Sequence, residues 1–182
     1  MQKIGDQISI EKQEESTLIT IKPIVVKNNL NLLKIWVVAW SICGILVATQ
    51  LFVPYQNSEK VFLAIYLSLW LYFEIKTVKA LRWNLYGKEV IEITNNEIIY
   101  TELIGKRGIP VIFPNEKIKE ISLIEQEQKG FLADINQSVW MLGTETILIA
   151  SKDFSKNIGR KLSKNEASKL INFLNKQLGK NA

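Results

Sequence analysis

Two apolar runs, residues 35–53 and 61–73, constrain this chain more than any other feature; the polar turn Pro54-Tyr55-Gln56-Asn57-Ser58-Glu59-Lys60 divides them. At ~1.5 Å per residue the first makes ~28 Å of helix, close to the ~30 Å hydrocarbon core of a bilayer. The second is shorter, and its uninterrupted stretch alone is also compatible with a buried core helix. It continues, however, through Glu74-Ile75-Lys76-Thr77-Val78-Lys79-Ala80-Leu81-Arg82-Trp83, where lysine and arginine stems can lie along hydrocarbon while their charges reach the headgroups. With that extension the span reaches roughly 20 residues. The pair therefore predicts a transmembrane helical hairpin over residues 30–86.

Spacing adds detail. Gly44-x-x-x-Ala48 and Ala64-x-x-x-Ser68 are small-xxx-small pairs symmetric about Gln56, since 44 + 68 and 48 + 64 both equal 112. Matched depth predicts close helix contact there, the alternative being small residues that face lipid. Lys34 and Glu74 are the ionisable residues nearest the hydrocarbon, at depths differing by ~6 Å. They are expected either to pair across the hairpin or to snorkel independently.

Charge orients the hairpin. The turn carries Lys60 alone, whereas Lys22 and Lys27 precede the first run and Lys76, Lys79, Arg82 and Lys88 end or follow the second. The positive-inside rule places both termini in the cytoplasm, making this a multi-pass protein of the cell (inner) membrane. The first 29 residues contain no apolar h-region, so no cleaved signal is expected. Phe52, Tyr55 and Phe62 near the turn, and Trp83 and Tyr86 at the exit, suit the two interfaces.

Composition excludes several functions. Basic minus acidic residues are 4 − 4 for residues 1–29, 6 − 2 for 30–88 and 13 − 12 for 89–182, so the excess of +5 lies mostly in the anchor. A nucleic-acid partner would want it on the soluble part, and none is expected. Histidine is absent and Cys43 is the single cysteine, which removes imidazole chemistry and internal disulfides. No catalytic, cofactor-binding or metal-binding residue is expected.

Outside the hairpin the pattern is β-rich. Ile8/Ile10 and Thr17/Ile19/Ile21 alternate as two short strands in an N-terminal segment, residues 1–29, with the first helix expected to begin near Asn28 to Asn31, a stretch with natural N-cap residues. Two strands alone are marginal in water, so the soluble domain is the candidate partner. That domain, residues 87–182, reads as strands over 89–94 and 97–103 joined by Asn95-Asn96, then over 109–113, 117–124, 144–151 and 154–158. Pro110 argues that the run over 109–113 lies on a sheet edge or starts irregularly, and the pattern lapses into a polar loop over 125–138. Ser163-Lys164-Asn165-Glu166 is a capping box opening an amphipathic helix with its stripe at Ala167, Leu170, Ile171, Leu174 and Leu178; Lys176, Gly179 and Lys180 are its end signals.

The stretch Trp83-Asn84-Leu85-Tyr86-Gly87-Lys88-Glu89-Val90-Ile91-Glu92-Ile93, the strand and loop over 98–107, residues 118–123 and Leu162-Ser163-Lys164-Asn165-Glu166-Ala167 resemble the bacterial membrane-anchored proteins with a pleckstrin-homology-like (PH-like) domain. The order of elements is similar too, over nearly the whole chain, with a departure at 125–143 where this sequence is longer and more polar. A more distant similarity in layout is to photosystem I assembly factors. The resemblance implies a membrane-anchored α+β protein: a two-helix transmembrane hairpin followed by a PH-like antiparallel β domain with a C-terminal helix.

It also implies a non-enzymatic module whose partners are the lipid bilayer together with a protein or anionic lipid headgroups. A membrane-complex assembly factor or regulator is the alternative. An enzyme would have to use Ser151/Lys152 or Glu125/Glu127, which lack a positioned base and read more simply as solvated loop residues. Gly105-Lys106-Arg107-Gly108 is either a phosphate nest or a hairpin tip, and the missing helix N-terminus favours the tip. Lys152, Lys156, Arg160, Lys161 and Lys164, with Asp153 as the one acid among them, form a candidate edge facing membrane or partner; Glu116, Glu120, Glu125 and Glu127 outweigh Lys117 and Lys119 elsewhere.

Overall fold

The computed structural model describes residues 2–124 and 142–179. Inward residues at every second position build a six-stranded antiparallel sheet: β1 (Gln2–Ile4), β2 (Ile8–Lys12), β3 (Thr17–Ile21), β4 (Gly87–Ile93), β5 (Glu97–Ile104) and β6 (Pro110–Pro114), paired in that order. A second antiparallel sheet follows in the order β7 (Ile118–Leu123), β8 (Glu145–Ser151), β9 (Ser155–Arg160). The α-helices are α1 (Lys27–Thr49), α2 (Asn57–Tyr86) and α3 (Lys164–Gln177). The chain is thus α+β, with two long apolar helices, antiparallel sheets and a closing C-terminal helix.

The core gathers the inward set of both sheets, Ile8, Ile10, Ile19, Ile21, Ile91, Ile98 and Tyr100 with Phe113, Ile147, Ile149 and Ile158, and receives Ala167, Leu170, Ile171 and Leu174 from α3. The Ser163 hydroxyl accepts from Glu166 N at 3.2 Å and the Glu166 carboxylate accepts from Ser163 N at 3.2 Å, so the capping box forms as expected. Pro110 and Pro114 bound the edge strand β6, where a missing N–H faces no neighbour. Lys180 and the loop expected over 125–138 lie outside the described residues.

The N-terminal strands find their partner in β4. Thr17 pairs with Ile93 and Ile21 with Glu89, so β3 and β4 are sheet neighbours although the whole helical excursion separates them in sequence. The strand β1 was not expected. The start of α1 also differs: its N-cap position is Val26, with no side-chain cap, and Asn28 and Asn31 lie inside the first turns.

The hairpin packs differently from the spacing argument. Gly44 is buried, and a Cβ built there would collide with the Trp70 indole, whose Nε1 donates to Trp40 O at 3.1 Å. Ala64 and Ser68 are exposed, while Leu63, Leu67, Trp70 and Glu74, spaced by three or four, make the shielded stripe. One large ring over one glycine therefore replaces a small-to-small contact. Lys34 and Glu74 do not pair: Glu74 Oε1 accepts from Ser41 Oγ at 2.6 Å, and Lys34 is exposed. Leu33 and Val37, four apart, occupy the buried face of α1, and Lys34 lies ~100° around from Leu33.

Candidate functional site

The last turns of α2 dock on the sheets through Ala80, Trp83 and Asn84, all buried. In β4 the inward register that places Ile91 and Ile93 in the core also places Glu89 there, 1% exposed. Its carboxylate accepts from Gly159 N and Arg160 N, each at 2.7 Å, and from the Tyr100 hydroxyl at 3.1 Å. Successive N–H groups of an extended strand point in opposite directions; positive φ at Gly159 (74°) breaks that alternation. Burial lifts the Glu89 carboxyl above its usual range, and the two backbone donors, Arg160 and Tyr100 oppose the shift. Burial and the neighbouring Glu89 charge push the Tyr100 phenol up.

Arg160 completes this junction. Nη1 meets Glu102 of β5 at 2.9 Å, Nη2 meets Glu145 of β8 at 2.6 Å, and the guanidinium carbon lies 4.8 Å from the Trp83 ring centroid. Burial works against its charge, and Glu145 and Glu102 outweigh it, so the Arg160 pKa rises. One side chain thus ties both sheets to the end of α2.

The cations of 152–164 do not form one edge. Lys152 is exposed; Arg160 is enclosed in the junction; Lys161, at φ 60°, is half-buried with its pKa pushed down to about 8 by burial and then by Arg160. Lys117 and Asp153 pair at the surface at 2.8 Å, which holds Lys117 up and Asp153 down. Lys156 turns instead toward Tyr100, its Nζ 5.9 Å from the ring centroid.

There it joins Arg82 of α2 and Arg107 of the β5–β6 tip in lining an open cleft of about 600 Å³, together with Tyr100, Glu102 and Ile109. Gly105-Lys106-Arg107-Gly108 is the exposed tip of that hairpin, and Gly105 N donates to Tyr86 O at 2.9 Å, fixing the tip to the end of α2. Glu89 escaped the sequence reading, yet a carboxylate in an inward strand register is the signal that marks it. Ser151 Oγ donates to Lys117 O at 3.2 Å, and Glu125 and Glu127 lie outside the described residues. Among the described residues no group of three His, Cys, Asp or Glu side chains is placed to hold a metal ion. Comparison with protein-family models, curated proteins and solved structures finds no match to this chain.

Proposed function

We propose that this chain is a membrane-anchored, non-enzymatic module: α1 and α2 form a transmembrane hairpin, and a PH-like β domain at its cytoplasmic base binds a protein partner or lipid headgroups. The observation that carries the reading is the uncovered apolar surface of the two helices. Ile35, Val38, Ile45, Leu46, Phe62, Ile65 and Leu69 are 58–72% exposed along helices long enough to cross a bilayer. No described element packs over them, and lipid tails are their natural solvent.

The β3–β4 ladder supports a same-side placement of both helix ends, since α1 leaves and α2 returns to adjacent strands of one sheet. Two antiparallel sheets closed by α3, after N-terminal strands and a helical hairpin, support the PH-like reading by their order. The basic residues Lys76, Lys79 and Arg82 at the exit of α2 support the cytoplasmic side.

In a Cys43→Ser background, Asn57→Cys at the turn and Asn172→Cys on α3, both exposed positions, are treated in intact cells with an impermeant thiol reagent. Labelling at 57 and protection at 172 is the expected result. The reverse overturns the orientation, and equal labelling overturns the spanning hairpin.

A further inference from the structure

We infer that the cleft between the exit of α2 and the β5–β6 tip binds the phosphate of one anionic phospholipid headgroup. This rests on the membrane reading above and names the ligand at its base. Three cations from three separate elements, Arg82, Arg107 and Lys156, converge there. The one carboxylate in the lining, Glu102, already accepts Arg160 Nη1 at 2.9 Å, and the ion pairs among the described residues include none of the three cleft cations. Three cations against this one carboxylate, itself engaged by Arg160, leave the cleft lining with a positive excess, and guanidinium forks match phosphate oxygens in pairs.

Its depth selects lipid. A 20-residue span that begins at Val61, the first residue of the second apolar run, ends at Ala80, and Arg82 stands two residues beyond, ~3 Å further along the axis. The headgroup layer on each side of the hydrocarbon is about 5–7 Å thick, so Arg82 falls at phosphate level. The Gly105–Tyr86 bond ties the hairpin tip to the end of α2, and beside Arg107 the tip presents Ile109, 85% exposed. An apolar side chain next to two arginines suits a surface where acyl chains meet phosphate and gains nothing from a soluble anion.

The test uses the full chain in non-ionic detergent, with dioctanoyl phosphatidic acid as probe and calorimetric titration as readout. One-to-one saturable binding is expected, weakened about tenfold or more by Arg82→Gln/Arg107→Gln. Lys106→Gln/Lys152→Gln, which removes the same charge outside the cleft, should stay within about twofold of the parent. Thermal melting of both double variants should match the parent, because the altered side chains hold no ion pair among the described residues. Equal weakening by both pairs would overturn the site in favour of diffuse attraction. Equal affinity for dioctanoyl phosphatidylcholine would overturn the anionic assignment, and equal affinity for glycerol 3-phosphate or inorganic phosphate the lipid one. Loss of lipid binding with the cysteine-labelling pattern intact removes the headgroup site alone, whereas a failed labelling pattern removes the membrane anchor itself.

Discussion

The helical hairpin and the sheet domain at its base turn their isoleucines in opposite directions. Ile35 and Ile45 of α1 are 67% and 62% exposed, whereas Ile147 and Ile149 of β8 are wholly buried. The domain is held by apolar burial, reinforced where Glu89 and Arg160 link its layers. In the membrane setting proposed above the hairpin would lack that driving force, and its contacts are ones of shape and a few polar groups: Trp70 over Gly44, its indole N–H on Trp40 O, and Ser41 on Glu74. One chain thus uses two stabilising strategies, joined at Trp83, where α2 meets Arg160.

The largest expected contrast comes from truncating one isoleucine in each region. Ile147→Ala should cost about 2–5 kcal/mol through a cavity that the core cannot close, whereas Ile45→Ala, which faces outward, should stay within about 0.5 kcal/mol. Urea unfolding of the full chain in detergent measures both. A comparable loss at Ile45 would mean that the outer face of α1 packs on protein, and the comparison would fail.

A smaller contrast concerns polar contacts. Glu89→Ala strands two backbone N–H groups and a phenol, and should destabilise the domain by about 3 kcal/mol. Ser41→Ala removes one interhelical hydrogen bond, for which ~0.5–1.5 kcal/mol is expected in a membrane-like medium. The same unfolding measurement ranks them, and a Ser41 effect equal to that of Glu89 would erase the distinction. Glu89 also carries a pH signature. Its folded pKa stands above the unfolded value, so its contribution is fully present below about pH 4.5 and is lost as pH rises through the folded value; Glu89→Gln should flatten that slope.

The smallest expected effect is a slope in alkali. Lys161 has a folded pKa of about 8 against 10.5 unfolded, so between those values the unfolded chain binds more protons and stability rises with pH. Lys161→Met should remove that rise in melting temperature between pH 8 and 10.5, and an unchanged rise would assign it to other groups.

What was legible in the sequence was local. The Ser163–Glu166 cap, the stripe of α3 and the alternation of β4 and β5 depend on neighbours within one element, and they stand where expected. The strand β1 is three residues long, too short for a period to register, and is held by β2. Small-residue spacing indicates where helices are able to approach but not how each is rotated, and the Trp70 ring decided the rotation of α2. The basic edge failed through strand geometry. Period two sets Lys156 on the face of β9 that carries the wholly buried Ile158, so Lys156 turns inward toward Tyr100, and beyond the positive φ of Gly159 the Arg160 side chain is enclosed against Glu102. Cleft residues from α2, the β5–β6 tip and β9 are distant in sequence, and only the folded chain brings them together.

The pairing of β3 with β4 bears on how the protein is made. A ribosome releases β1, β2 and β3 well before β4 exists, and the intervening hairpin takes several seconds at ~5–20 residues per second. Throughout that interval the Thr17–Ile21 edge lies open, with Ile19 and Ile21 uncovered, a segment suited to mispairing with other chains. Closure waits until α2 has come back to the side where α1 began. If the helices insert as proposed above, completion of the sheet reports on that insertion: a copy with wrongly inserted helices would keep an exposed strand edge, a lesion that chaperones and proteases can recognise.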